Sequence, residues 1–159
     1  MRKLLLSAIL SFVAVLSGIA FAAESASDPV VGTWKLNVSK STFTSGPALK
    51  SQTRTYSQAG PSITLVMKTT GADGAEVTTR TTYKLDGKDY PVKDNPDFDS
   101  LMPHQIDRNT TEFTLKRGGK PVGKTSRTVS KDGKTLTSTM QVKSASGEQT
   151  DSELVFDKQ

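Results

Sequence analysis

Residues 63–85, ITLVMKTTGADGAEVTTRTTYKL, decide the fold. Ile63, Leu65 and Met67 fall on one face of an extended chain, with Thr64 and Lys68 on the other. Beyond Asp73-Gly74, Val77, Tyr83 and Leu85 oppose Glu76, Arg80 and Lys84. Side chains alternate across a strand, so this period of two marks half-buried β-structure. Asp-Gly favours the positive φ angles of the two-residue turns that join antiparallel strands. The stretch reads as a β-hairpin with one apolar face.

Working outward, the same punctuation recurs at Ala59-Gly60, Asp86-Gly87, Gly118-Gly119, Asp132-Gly133 and Ser146-Gly147. The wider gap between Gly87 and Gly118 is broken by Asp94-Asn95-Pro96 and Asp107-Arg108-Asn109. Between the signals lie segments rich in Thr, Val, Tyr and Phe, which favour a pleated surface, and alternation returns at Phe113/Leu115, Leu136/Met140/Val142 and Leu154/Phe156. The spacing predicts strands near 30–37, 48–58, 61–70, 75–85, 88–93, 99–107, 110–117, 120–130, 133–144 and 148–157.

Strands joined by such short turns pair antiparallel, and no helical repeat is available to cover their apolar face. Closing the sheet on itself covers the face and removes the edges. The expected fold is therefore all-β, an antiparallel up-and-down barrel of about 8–10 strands. A two-sheet sandwich is the alternative, although its crossings need longer connections. An outer-membrane barrel would alternate too, but it needs aromatic girdles, and aromatics make up 6% of this chain.

The amino-terminal segment follows a different pattern. Arg2 and Lys3 precede an apolar run over 4–22 that ends in Ala20-Phe21-Ala22, the layout of a secretory signal peptide cleaved after Ala22. An uncleaved membrane anchor is the rival, since the run is nearly long enough to span a bilayer. Cleavage leaves a flexible lead-in over 23–29 and one domain over 30–159, with no integral membrane association and a periplasmic or extracellular destination. Losing Arg2 and Lys3 lowers the net charge from +5 to +3, and the remaining cations are scattered. Nucleic acid is thus not an expected partner.

The chain has no cysteine, which excludes disulfides, a lipidated cysteine and thiol chemistry. Its one histidine, His104, leaves little for a metal site or a catalytic triad, and its default reading is a surface or satisfied strand residue. Asp94, Asp97, Asp99 and Asp107 match no calcium loop and read as turn residues. No enzymatic constellation, metal or cofactor is expected.

Gly32-Thr33-Trp34, with Val31 before it and Lys35-Leu36 after it, resembles the G-x-W opening of the calycin superfamily, the lipocalins and fatty-acid-binding proteins. The ending Leu154-Val155-Phe156-Asp157-Lys158 is similar to theirs. A closer resemblance is to uncharacterised secreted bacterial lipocalin-like proteins with a G-T-W-K-L-N opening. This implies a lipocalin-like barrel holding a small apolar molecule, with the tryptophan packed across its closed end. The chain departs from the fatty-acid-binding pattern in two places. Residues 38–47 read as a loop where that family has two lid helices, and the last strand lacks the Arg-x-Tyr that holds a carboxylate.

Arg54 and Tyr56 share a strand face by their spacing, and Arg127 shares one with Val129. An arginine inside a barrel requires an anion, so the candidate ligand-binding set is Arg54, Tyr56, Tyr83, Arg127 and Trp34, the arginines and phenols taking the acidic head of an amphipathic molecule. The competing reading has the arginines stacked on Trp34 as structural cation–π pairs, and Trp34 is foremost a core residue. Small side chains at Thr79, Thr81 and Ser138 would leave room inside, while Trp34, Phe113, Met140 and Phe156 would fill it. The expected function is a binder of a small, partly apolar ligand, acidic if the arginines serve its head. The alternative is a protein-interaction module, an inhibitor or assembly factor with a filled barrel, acting through loops 38–47 and 93–99.

Overall fold

The computed structural model describes residues 27–44 and 49–159. The expected signal peptide, its cleavage site and the start of the lead-in lie outside the described residues. Eleven strands follow in order: β1 (Gly32–Leu36), β2 (Thr42–Phe43), β3 (Leu49–Ala59), β4 (Ser62–Gly71), β5 (Glu76–Lys84), β6 (Tyr90–Pro91), β7 (Ser100–Gln105), β8 (Thr110–Arg117), β9 (Lys120–Val129), β10 (Thr135–Lys143) and β11 (Gln149–Lys158). All pairings are antiparallel, in the order β5-β4-β3-β1-β11-β10-β9-β8-β7-β6, with β2 added on β11.

The first and last long strands are thus neighbours. Trp34 faces Arg54 on one side of β1 and Lys158 on the other, which draws the two ends of the meander together into a nearly closed barrel. The opening lies between β5 and β6, which share no hydrogen-bonded ladder. The strand expected over 88–93 shrinks to Tyr90–Pro91, paired with Leu101 and Ser100. Two residues further in that register Lys88 would meet Pro103, and a proline has no N–H with which to extend a ladder.

Two hairpins are closed by two residues, Gly60-Pro61 and Gly118-Gly119. The Asp-Gly turns differ from expectation. In each the aspartate accepts a hydrogen bond from the backbone N–H two residues on: Asp73 from Ala75, Asp86 from Lys88 and Asp132 from Lys134. That local bond stabilises a longer loop in which the glycine still supplies the positive φ, 86° at Gly74 and 70° at Gly133. Residues 38–44 of the expected loop also gain structure. Val38–Lys40 form one 3-10 turn capped by Asn37, and Thr42–Phe43 pair with Glu153 and Ser152. Residues 45–48 lie outside the described residues.

The interior is filled unevenly along the barrel. Val30, Trp34, Leu36, Leu136, Leu154 and Phe156 belong to one buried cluster, in which Phe156 faces both Leu36 and Leu136 across the ladders. Trp34 is fully buried, and its Nε1 donates to the Val30 carbonyl at 2.7 Å. Towards the other end the inward positions shrink to Thr79, Thr81, Thr125 and Ser138. Val77 keeps the inward parity of β5 but sits near the strand's end and is 55% exposed.

Gly123 on β9 marks a close approach between strands. A methyl group there would strike the Gln141 carbonyl oxygen and lie 2.7 Å from Val142 Cα. The two nearest obstacles are backbone atoms of β10, which cannot turn aside, so Gly123→Ala is expected to destabilise the barrel by about 1–3 kcal/mol, as overpacking does. Urea denaturation of the two proteins checks this, and equal midpoints would contradict it.

Candidate functional site

A cavity of about 160 Å³ lies in the loosely filled part of the barrel. Leu65 and Met67 of β4, Leu101 of β7 and Leu115 of β8 give it apolar walls, and the 92–98 loop contributes Val92 and Phe98. Tyr56, Tyr83 and Phe113 belong both to the buried cluster and to the lining, and so form its floor. Tyr83 meets Phe113 edge-on, with ring centroids 5.2 Å apart. A void of similar size, roughly 150 Å³, accepts benzene in an engineered apolar core.

Three cationic residues line this space, the exposed Lys93 of the 92–98 loop and, further in, Arg54 and Arg127. Arg54 stands above Phe156, its guanidinium carbon 4.4 Å from the ring centre, and its Nε donates to Gln52 Oε1 at 2.8 Å. Gln52, itself buried, donates to Thr69 Oγ1 at 2.9 Å, so a chain of hydrogen bonds across β3 and β4 fixes the arginine. No carboxylate lies within ion-pair distance of Arg54 among the described residues.

Arg127, 4% exposed, is held differently. Its two terminal nitrogens donate to the two carboxylate oxygens of Asp28, Nη1 at 3.2 Å and Nη2 at 2.8 Å, and its guanidinium carbon sits 5.6 Å from the Tyr56 ring centre. The carboxylate is anchored in turn: Asp28 Oδ1 accepts from the Val30 N–H, the Asp28 N–H donates to Gln58 Oε1, and the Asp28 carbonyl accepts from Val31. The lead-in expected to be flexible to residue 29 is therefore tied down at Asp28. Burial alone would pull the Arg127 guanidinium down, but the neighbouring Tyr83 and the hydrogen-bonded Asp28 outweigh it, so Arg127 is raised.

Two buried donors on residues of the lining, Tyr83 Oη and Arg127 Nε, have no hydrogen-bond partner among the described residues and almost no accessible surface. Burial pushes the Tyr83 phenol well above its ordinary range, and Arg127 offsets this only partly. The structure thus gathers Arg54, Tyr56, Tyr83 and Arg127 around one space. Trp34 is the exception among the expected site residues. It lies below the floor, outside the lining, and the cation over its ring is Lys158 at 5.1 Å rather than an arginine. The acidic residues at 94–107 that are tied into hydrogen bonds serve turns and loops. Asp99 accepts from the Gly118 N–H, Asp97 from Ala145, and Asp107 from Asn109 and Thr110.

Sequence reasoning missed Asp28 and Gln52. Gln52 shares the strand face of Arg54, which would have identified it; the sole hint of Asp28 was the need of Arg127 for an anion.

With this geometry, the barrel closes through its first and last strands, opens between β5 and β6, and keeps a cavity above an aromatic floor. It is the calycin fold. The calycin barrel superposes on zebrafish ileal bile acid-binding protein complexed with cholic acid with a TM-score of 0.56, at 12% identity, over 82% of this chain and 99% of that one. The siderocalin Ex-FABP is also similar, at 10% identity over 82% of this chain and 74% of that one, with a TM-score of 0.40. No family model and no curated protein matches the sequence.

Removing Asp28 would leave a buried cation unpaired in the calycin barrel. Asp28→Ala is expected to cost about 3–5 kcal/mol in urea denaturation, and adding Arg127→Met to it should recover much of the loss. Additive losses in the double variant would contradict the coupling.

A second expectation concerns pH. The unfolded Tyr83 phenol ionises near pH 10, while the folded one keeps its proton, so the native state binds more protons and stability falls as pH rises past about 10. Tyr83→Phe should show a shallower alkaline loss of stability than the parent, measured by thermal unfolding between pH 8 and pH 11.

Proposed function

We propose that this chain is an exported binding protein whose barrel takes one small, largely apolar molecule, with its polar end turned towards Arg54. The observation that carries the reading is a guanidinium without a carboxylate partner among the described residues, fixed above Phe156 at an otherwise largely apolar cavity. A partly desolvated cation held in place by Gln52 costs free energy that an anionic or strongly electron-rich group on a ligand would recover. The apolar walls supply the rest, roughly 25 cal/mol for each Å² of ligand surface removed from water.

The volume limits the guest to a short chain or a single ring system. The cholic acid complex of the zebrafish protein supports the choice of a small amphipathic guest as a class, and the similarity in fold is its whole weight. Export rests on the pattern of residues 1–22, as does a place among secreted bacterial lipocalin-like proteins on the G-T-W-K-L-N opening. The cavity favours binding over the alternative of a filled barrel acting through its loops. We read the protein as a carrier or sequestering protein and not as an enzyme.

Octanoate is a suitable probe, being short, apolar and singly charged. Calorimetric titration should show one site, weakened ten- to a hundredfold in Arg54→Met, the worth of a hydrogen-bonded charge. Unchanged octanoate affinity in a folded Arg54→Met protein would defeat the proposal. Native mass spectrometry of protein purified from its own host's envelope would identify the natural guest.

A further inference from the structure

The charge around the cavity is one-sided. Its lining contains Arg54, Lys93 and Arg127 and neither an aspartate nor a glutamate. Asp28 neutralises Arg127 from outside the lining, which leaves two cations on the same space. No carboxylate among the described residues lies within ion-pair distance of Arg54 or of Lys93. Both keep accessible surface, Arg54 in part and Lys93 largely, so an incoming anion has access to each.

The two cations stand apart. Arg54 belongs to β3 and turns towards β11, its guanidinium carbon 4.4 Å from the Phe156 ring centre. Lys93 follows β6, and β4, β5 and the unstitched gap lie between β3 and β6. Neighbouring strands lie about 4.8 Å apart, so at least three such intervals separate the two backbones along the wall. They are two anion contacts rather than one.

The backbone that carries Lys93 is fixed. The Val92 N–H donates to the Asp99 carbonyl at 2.8 Å, and Asn95 Oδ1 accepts from the Asp97 and Phe98 N–H groups at 2.9 and 3.2 Å. Arg117 at the end of β8 donates from Nε to the Asp97 carbonyl at 2.9 Å and from Nη2 to the Lys143 carbonyl at 2.8 Å, which ties the loop to the end of β10. The Asp97 and Asp99 carboxylates accept from the Ala145 and Gly118 N–H groups, so these acids of the loop serve the backbone and not Lys93. With the loop anchored, only the lysine side chain has to be ordered when a guest arrives.

We infer that the guest is a small diacid, an apolar body with one acidic group met inside the barrel by Arg54 and a second met at the rim by Lys93. Leu65, Met67, Leu101 and Leu115 take the body between them. Lys93 is then a specificity-determining residue that selects two charges over one. Its contact is exposed, so it strengthens binding severalfold rather than a hundredfold and fades as salt screens it. This inference rests on the proposed binding function and extends it from one acidic group to two.

The test uses octanoate and suberate, equal in chain length and differing by one terminal carboxylate, titrated calorimetrically at neutral pH into the protein and its Lys93→Met and Lys93→Glu variants. Lys93 is exposed and forms no ion pair among the described residues, so both variants are expected to fold. The deciding quantity is the ratio of suberate to octanoate affinity. It should fall severalfold in Lys93→Met and further in Lys93→Glu, with octanoate itself changing little. Raising the salt concentration should lower the ratio in the parent and leave it nearly constant in Lys93→Met. Arg54→Met should weaken both probes. A ratio that is the same in the parent and in both Lys93 variants overturns the inference, as does octanoate binding to a parent that ignores suberate. If neither probe binds the parent, the binding function itself fails, a result distinct from binding that is indifferent to Lys93.

Discussion

Arg127 can be buried among tyrosine and phenylalanine rings only because Asp28 reaches it from 99 positions earlier in the chain. A guanidinium taken out of water loses far more hydration energy than a single ring face can return, so its site must contain a carboxylate in good geometry. Asp28 meets that requirement with two hydrogen bonds, and the requirement propagates outward. To hold the carboxylate, the chain before β1 turns back through the Val31 to Asp28 bond and anchors on Gln58 of β3. That turn brings Val30 beneath Trp34, whose indole N–H it receives. One ion pair therefore sets where the segment leading into β1 enters the barrel and how its base is sealed.

Sealing at one end explains the space at the other. Trp34 and Phe156 sit on β1 and β11, the strands through which the barrel closes, and each packs under a cation from another strand, Lys158 of β11 over the indole and Arg54 of β3 over the phenyl ring. Large rings on the closing strands fill the base. The strands opposite carry threonine at the same inward parity, and β5 and β6 are not stitched together. Cavity and gap thus share a cause: side chains too small to span the barrel, next to a ladder that ends short of Pro103.

The strands were legible in the sequence because their signal is local. Alternation and turn dipeptides act within a few residues, and ten expected strands correspond to β1 and β3–β11 with shifts of a few residues at their ends. The two-residue β2 was not, since Thr42–Phe43 show no period and are ordered by β11, more than a hundred positions away. The inward faces of Arg54, Tyr56 and Arg127 also followed from parity. Their partners did not. Asp28 stands in a Ser- and Ala-rich stretch beside a proline, the composition of a linker, and no local pattern distinguishes an aspartate that caps a turn from one that closes a buried ion pair. Trp34 was over-assigned for the opposite reason: a motif gives its position, while only its burial in one cluster with Val30, Leu36 and Phe156 shows that the ring is packed away from the cavity.

The two arginines began as equivalent candidates, alike in charge, in burial potential and in facing the same space. The structure separates them by what each already holds. Arg127 has its carboxylate; Arg54 has only an amide and a ring face, neither of which cancels a charge. Of the two arginines only Arg54 lacks a carboxylate among the described residues, so the uncompensated charge inside the barrel is located there, with the exposed Lys93 adding a second cation from the 92–98 loop. Reading charge from composition or motif would have assigned two anion sites. Counting counter-ions leaves one arginine for an anion, Arg54, and makes the other part of the barrel's own ion pair.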